Sequence, residues 1–128
     1  MEFPKDLKYT KEHEWVRVEG DMVVVGITDY AQDSLGDVVF VELPEEGASV
    51  TKNEPFGVVE SVKAVSDLYS QINGTVAEVN DAIIDSPETI NEDPYGEAWM
   101  LKVELASKDE LNDLLSAEEY QAFIEEEK

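Results

Sequence analysis

Gly57-Val58-Val59-Glu60-Ser61-Val62-Lys63-Ala64-Val65-Ser66-Asp67 is the stretch that decides the fold. Two apolar runs flank the four residues Ser61-Val62-Lys63-Ala64. This layout predicts a tight hairpin between two core strands, with Lys63 at or near its tip. A lysine so placed is exposed, mobile at its end and rigidly based. A tethered group needs those properties, because a swinging arm requires an anchor that does not move. Position alone does not decide the matter, since exposed lysines at turns are ordinary. The letters around Lys63 carry the rest.

Moving outward, short strands broken by turns continue on both sides. Glu14 to Val18 alternates polar and apolar, Glu19-Gly20-Asp21 turns, and Met22 to Ile27 returns, which predicts a hairpin. Thr28 is placed to cap a short helix over Asp29 to Leu35, and Gly36 to close it. Asp37 to Leu43 is a β-branched run stopped by Pro44. Pro55 to Ser61, Ala64 to Tyr69 and Thr75 to Val79 read as three more strands. Residues 80–97 read as loop, with Pro87 and Pro94 as breakers. Ala98 to Leu105 alternates and is expected to bury one face. The period then changes. Ser107-Lys108-Asp109-Glu110 and Ser116-Ala117-Glu118-Glu119 each fit a capping box, predicting two short amphipathic helices that pack on the β core. The expected fold is mostly β, a flattened barrel or sandwich with short helices and a helical C-terminus.

The 128 residues fit one domain, 1–128, large enough for a real core. There is no cysteine, so no disulfide or thiolate metal site can form. Any thiol chemistry must come from a cofactor. Nine basic residues stand against 31 acidic ones, for a net charge of −22. Nucleic acid and anionic membrane surfaces would be repelled, while a partner with basic groups would be attracted. The charge also opposes self-association, and a monomer is expected. No segment approaches the roughly 20 apolar residues of a membrane span. Met1 to Asp6 lacks a signal pattern, and a cytoplasmic protein is expected. Asn73-Gly74-Thr75 is a formal glycosylation sequon and is read as a turn.

Glu60-Ser61-Val62-Lys63-Ala64 resembles the attachment motif of lipoyl-bearing proteins. Biotin carriers hold a related hairpin, typically with methionine on both sides of the lysine. Here the neighbours are Val62 and Ala64. The likeness extends to Tyr9-Thr10-Lys11-Glu12-His13-Glu14-Trp15, to Gly26 through Asp33, to Leu35 through Pro44, to Asp85-Ser86-Pro87-Glu88 and to Ile90 through Gly96. Together these blocks resemble the H protein family of the glycine cleavage system, over roughly residues 7 to 126. A plain lipoyl domain of a 2-oxo acid dehydrogenase would lack the N-terminal blocks and the C-terminal helices. Asn53 stands where many members of that family have glycine.

The resemblance implies a non-catalytic carrier with lipoic acid joined by an amide to Lys63. It implies that Glu60, Ser61, Val62 and Ala64 form the motif read during attachment by a lipoate-attaching enzyme. It further implies three partners: a glycine decarboxylase that loads an aminomethyl group, an aminomethyltransferase that unloads it, and a dihydrolipoyl dehydrogenase that reoxidises the arm. The loaded arm is expected to fold into a cleft, with Glu14 and Asp67 as acidic partners for its amine. An alternative role, lipoyl donor or relay for other complexes, stays open at this point.

His13 is the sole histidine. It cannot build a histidine metal site or a catalytic triad alone, and is read as structural or as lining the cleft. No EF-hand loop and no phosphate-binding glycine spacing occurs, so no metal is expected. Trp15 and Trp99 are read as core aromatics.

Overall fold

A computed structural model describes residues 1–127; Lys128, the last residue of the expected domain, lies outside the described residues. Nine strands form two antiparallel sheets. The larger contains β1 (Lys8–Tyr9), β2 (Glu14–Glu19), β3 (Met22–Ile27), β5 (Ser49–Val50), β8 (Gly74–Val79) and β9 (Leu101–Leu105), in the order β1-β2-β3-β9-β8-β5. The smaller contains β4 (Val38–Glu42), β6 (Pro55–Ser61) and β7 (Val65–Tyr69), in the order β4-β6-β7. The arrangement is a flattened sandwich, as the strand pattern predicts, and not a closed barrel.

Strand period explains the two cores. Along β2 and β3, side chains alternate between faces. Val16, Val23 and Val25 point between the sheets, where they meet Val41, Val59 and Leu68 from the smaller one. Trp15 and Val24 point the other way, into a second cluster with Tyr9, Tyr120 and Ile124. The large sheet is therefore covered on both faces, the outer one by α4 (Ala117–Glu127). The indole of Trp15 sits where a Cβ on Gly26 would come within 2.7 Å, so only glycine fits opposite it. Its Nε1–H donates to the Pro94 carbonyl at 2.9 Å. Trp99 is half-buried against the same cluster and precedes β9, which begins only at Leu101.

The helix α1 (Asp29–Leu35) forms as expected, with Thr28 Oγ1 accepting from the Ala31 N–H and Gly36 closing it at φ 79. Residues 80–97 differ from the loop reading. They contain α2 (Asp81–Asp85) and α3 (Thr89–Glu92), too short to show a helical period. Asn80 caps α2, and its amide also donates to the carbonyls of Glu97 and Trp99. The second predicted capping box holds: the Ser116 N–H donates to Glu119, and the Glu119 N–H to Ser116. The first does not. Glu110 instead accepts from the backbone and side-chain N–H groups of Asn73, and Lys108–Asp113 is a 3-10 helix rather than an α-helix. Asn53 occupies the left-handed region at φ 72, a conformation asparagine tolerates where glycine would be free. Among the described residues no helix is long and apolar enough to cross a membrane.

Candidate functional site

The hairpin at Lys63 joins β6 to β7. Glu60 pairs with Val65, which leaves Val62 and Lys63 at the turn. The Ser61 N–H donates to the Ala64 carbonyl at 2.8 Å. The Ser61 hydroxyl accepts from the N–H groups of Lys63 and Ala64. The motif serine thus closes the turn with its side chain. Behind the tip, Val59 and Leu68 are buried and fix both strands to the core. A third tie comes from outside the hairpin: the Val62 N–H donates to the Asp37 carbonyl at 3.0 Å.

Asn91 holds that outside tie in place, and nothing in the sequence singled out this residue for such a role. Its Oδ1 accepts from the Val38 N–H at 2.8 Å. Its Nδ2 donates to the Gly36 carbonyl at 2.8 Å and to Gln32 Oε1 at 3.1 Å. One side chain on α3 therefore pins the loop from α1 to β4, on which the hairpin tip rests. In the letters Asn91 stood only as one residue of the block Ile90 through Gly96.

Lys63 is exposed, and among the described residues its ammonium has no ion pair or hydrogen bond. Its stem runs back over Gly36, at the end of α1. Beside that helix lies a cleft of about 270 Å³. Tyr30 and Leu35 of α1 form one wall, Ser66, Asp67 and Leu68 of β7 the other, with Ile27 and Val59 below and Glu12 and His13 at the lip. The cleft straddles the two sheets, since Ile27 ends β3 and Val59 belongs to β6. It has an apolar floor and an acidic lip.

Of the residues expected in such a cleft, Asp67 and His13 line it together. Glu14 does not line it. As the first residue of β2 its side chain turns inward with Val16, to a separate small cavity that Thr10 and Ser70 also border. Glu14 Oε1 accepts from the Thr10 hydroxyl at 3.4 Å, while Oε2 has no partner among the described residues. Burial pushes this carboxyl well above the ordinary range; the charge of Glu12 adds to the effect and the Thr10 bond opposes it. Glu12, which the sequence reading passed over, is the second carboxylate of the cleft.

His13 adopts φ 68, in the left-handed region. The ring stacks obliquely on Tyr30, centroids 5.0 Å apart. Nδ1 lies 2.9 Å from the Tyr120 hydroxyl and Nε2 lies 3.2 Å from Glu127. Tyr120 also lies 2.7 Å from Thr28 Oγ1, the cap of α1. Through these contacts the lip of the cleft is tied to α4. No group of three or more His, Cys, Asp or Glu residues suited to a metal ion occurs among the described residues.

A lysine without a partner among the described residues, on a pinned hairpin beside a half-apolar cleft, is the kind of base a tethered group requires. A family model described as glycine cleavage H-protein matches residues 7–127. The glycine cleavage system H protein of Geobacillus kaustophilus (strain HTA426) is 64% identical over 126 residues, covering 98% of this chain and 99% of that one. That of Rubrobacter xylanophilus is 62% identical, covering 98% of each. The crystal structure of a glycine cleavage system H protein from Mycobacterium marinum superimposes with a TM-score of 0.86 at 45% identity, covering 93% of this chain and 96% of that one. The chain belongs to the glycine cleavage H-protein family, the lipoyl-bearing carrier component of the glycine cleavage system.

Proposed function

We propose that Lys63 bears the lipoyl group, joined to Nζ by an amide, and that the chain carries an aminomethyl group without catalysing any step itself. The observation that supports this most directly is the free ammonium of Lys63 on a turn tied by Ser61, Asp37 and Asn91. Lipoic acid, when attached, supplies the dithiolane to which the aminomethyl group is transferred, the sulfur chemistry that a cysteine-free chain lacks.

The chain's own residues do the rest. Ser61 and the buried Val59 hold the base of the arm. Glu60, Ser61, Val62 and Ala64 present the lysine to the lipoate-attaching enzyme. The apolar floor shields the arm's end from water, and Asp67 with Glu12 places negative charge where a cationic amine arrives. His13 orients the lip. Glu14 is linked to the lip through Thr10, whose hydroxyl donates to Glu14 Oε1 and accepts from the Glu12 N–H. The partners in this reading are the glycine decarboxylase, the aminomethyltransferase and the dihydrolipoyl dehydrogenase, all met in the cytoplasm. One arm serving three sites raises the effective concentration at each.

Intact-mass analysis with peptide mapping tests the reading. One lipoyl adduct is expected on Lys63. Lys63→Arg should fold normally, carry no adduct and support no glycine cleavage in a reconstituted system. Undiminished cleavage by that variant would refute the carrier role.

A further inference from the structure

Seven large apolar side chains are exposed among the described residues, and four of them surround Lys63. Val62 and Val65 flank the lysine along the chain, at 70% and 67% exposure. Val39 and Phe40 stand beside them on β4, at 55% and 44%. The pairing brings them together. Phe40 lies opposite Glu60, and Glu60 opposite Val65, so these three share one face of the small sheet. Val38 lies opposite Ser61, which places Val39 at the hairpin end of that face.

A bulge creates this patch. Between Val38 and Phe40 the register slips by one residue, and Val39 has no cross-strand partner. Val38 and Val41 both point inward as a result, and the two residues between them both point out. The next row back carries acids: Glu42 and Asp67 lie opposite either side of Val58. Lys63 is the one basic residue between Lys52 and Lys102. The face therefore carries apolar side chains around Glu60 in its front row and the acids Glu42 and Asp67 in the row behind.

We infer that Val39, Phe40, Val62 and Val65 form the docking collar for the enzyme that acylates Lys63, a protein with an apolar contact patch backed by basic residues. This rests on the reading of Lys63 as the attachment site. The geometry favours this occupant over the other partners. A finished arm can reach active sites well away from the hairpin. An acylating enzyme must bring its activated acyl carbon to Nζ itself, one side-chain length from the turn, and so must cover the collar. In that step the ammonium first gives a proton to solvent, the freed amine forms the Nζ–carbon bond, the bond from acyl carbon to the phosphate oxygen of an acyl adenylate breaks, the nucleotide leaves with the electron pair, and the amide nitrogen's second proton passes to solvent. Charge supports the pairing: basic groups on the partner meet Glu42 and Asp67, which orients the approach.

The test compares the unmodified full chain with F40S, V65S and the double variant, using a lipoate-attaching enzyme with lipoate and ATP, and mass as the readout. V18S, at an exposed apolar position on β2, is the control. The double variant should raise KM for the carrier about tenfold, the loss expected when roughly 1.4 kcal/mol of apolar contact is removed, with kcat little changed. V18S should match the wild type. Once lipoylated at high enzyme concentration, the double variant should serve the glycine decarboxylase within about twofold of wild type. Unchanged KM in the double variant overturns the collar while leaving Lys63 as the attachment site. So does an equal loss with the decarboxylase. Concentration-dependent dimerisation removed by F40S would show a second copy on this face, and also overturns it. A wild-type chain that takes no adduct at Lys63 overturns both readings.

Discussion

The stem of Lys63 lies across Gly36: a Cβ on Gly36 would stand 3.0 Å from Lys63 Cε. The anchor of the arm and the end of α1 are thus in contact, although 27 residues apart in sequence. Gly36 has φ 79 and ψ −157, a region open essentially to glycine alone. Gly36→Ala should therefore cost about 1–3 kcal/mol in urea unfolding and displace the lysine stem. A variant as stable as wild type would show that the loop relaxes and that the contact is incidental.

The carboxylate on the β7 wall of the cleft gives a second expectation. Asp67 is exposed, and ion pairs at such positions are worth about 0.2–1 kcal/mol. Asp67→Asn should shorten the lifetime of the aminomethyl-loaded protein in buffer by roughly 1.5- to 5-fold. Its melting temperature should not move. Release of ammonia and formaldehyde, followed over time, is the measurement; an unaltered lifetime would remove Asp67 from the cleft's work.

Glu14 carries the pH dependence. Burial holds its folded pKa well above the ordinary carboxylate range, so the folded chain keeps this proton after the unfolded chain has lost it. Stability is then greatest at low pH for this group, and falls as pH climbs from the ordinary carboxylate range to the raised folded value. The slope approaches about 1.4 kcal/mol per pH unit inside that window. Glu14→Gln cannot titrate. Relative to wild type it should gain stability as pH rises through that window in denaturant titrations. A constant difference across that range would mean that Glu14 ionises normally.

Tyr120 joins three elements through one hydroxyl, meeting His13 and Thr28 in a fully buried setting. Tyr120→Phe leaves both partners short and should cost about 1–3 kcal/mol. It should also loosen His13 at the cleft, read as faster hydrogen exchange at residues 10–14.

Much of this was legible in the letters. The hairpin at Lys63, the cap at Thr28, the stop at Gly36 and the alternation of β9 all express local rules, which need no partner to operate. The failures share one cause, competition from distant groups. Glu110 was placed for a capping box, but Asn73 offers it two N–H donors. Asn91 looked like a loop residue because its three partners lie 53 to 59 residues away. For Glu14 the resemblance implies a partner for the arm's amine, and the strand period puts its side chain on the face of Val16, where it is buried. The bulge at Val39 had no signature, since four β-branched or aromatic residues in a row read as one plain strand.

Because the cleft is a seam between two sheets, its width is set by the valine-rich interior rather than by its own lining. Enlarging or emptying the interior far from Lys63 would change how snugly a parked arm fits, yet leave the turn and its lysine as they are. Under the proposed function, being charged with cargo and keeping that cargo dry would then be separately adjustable.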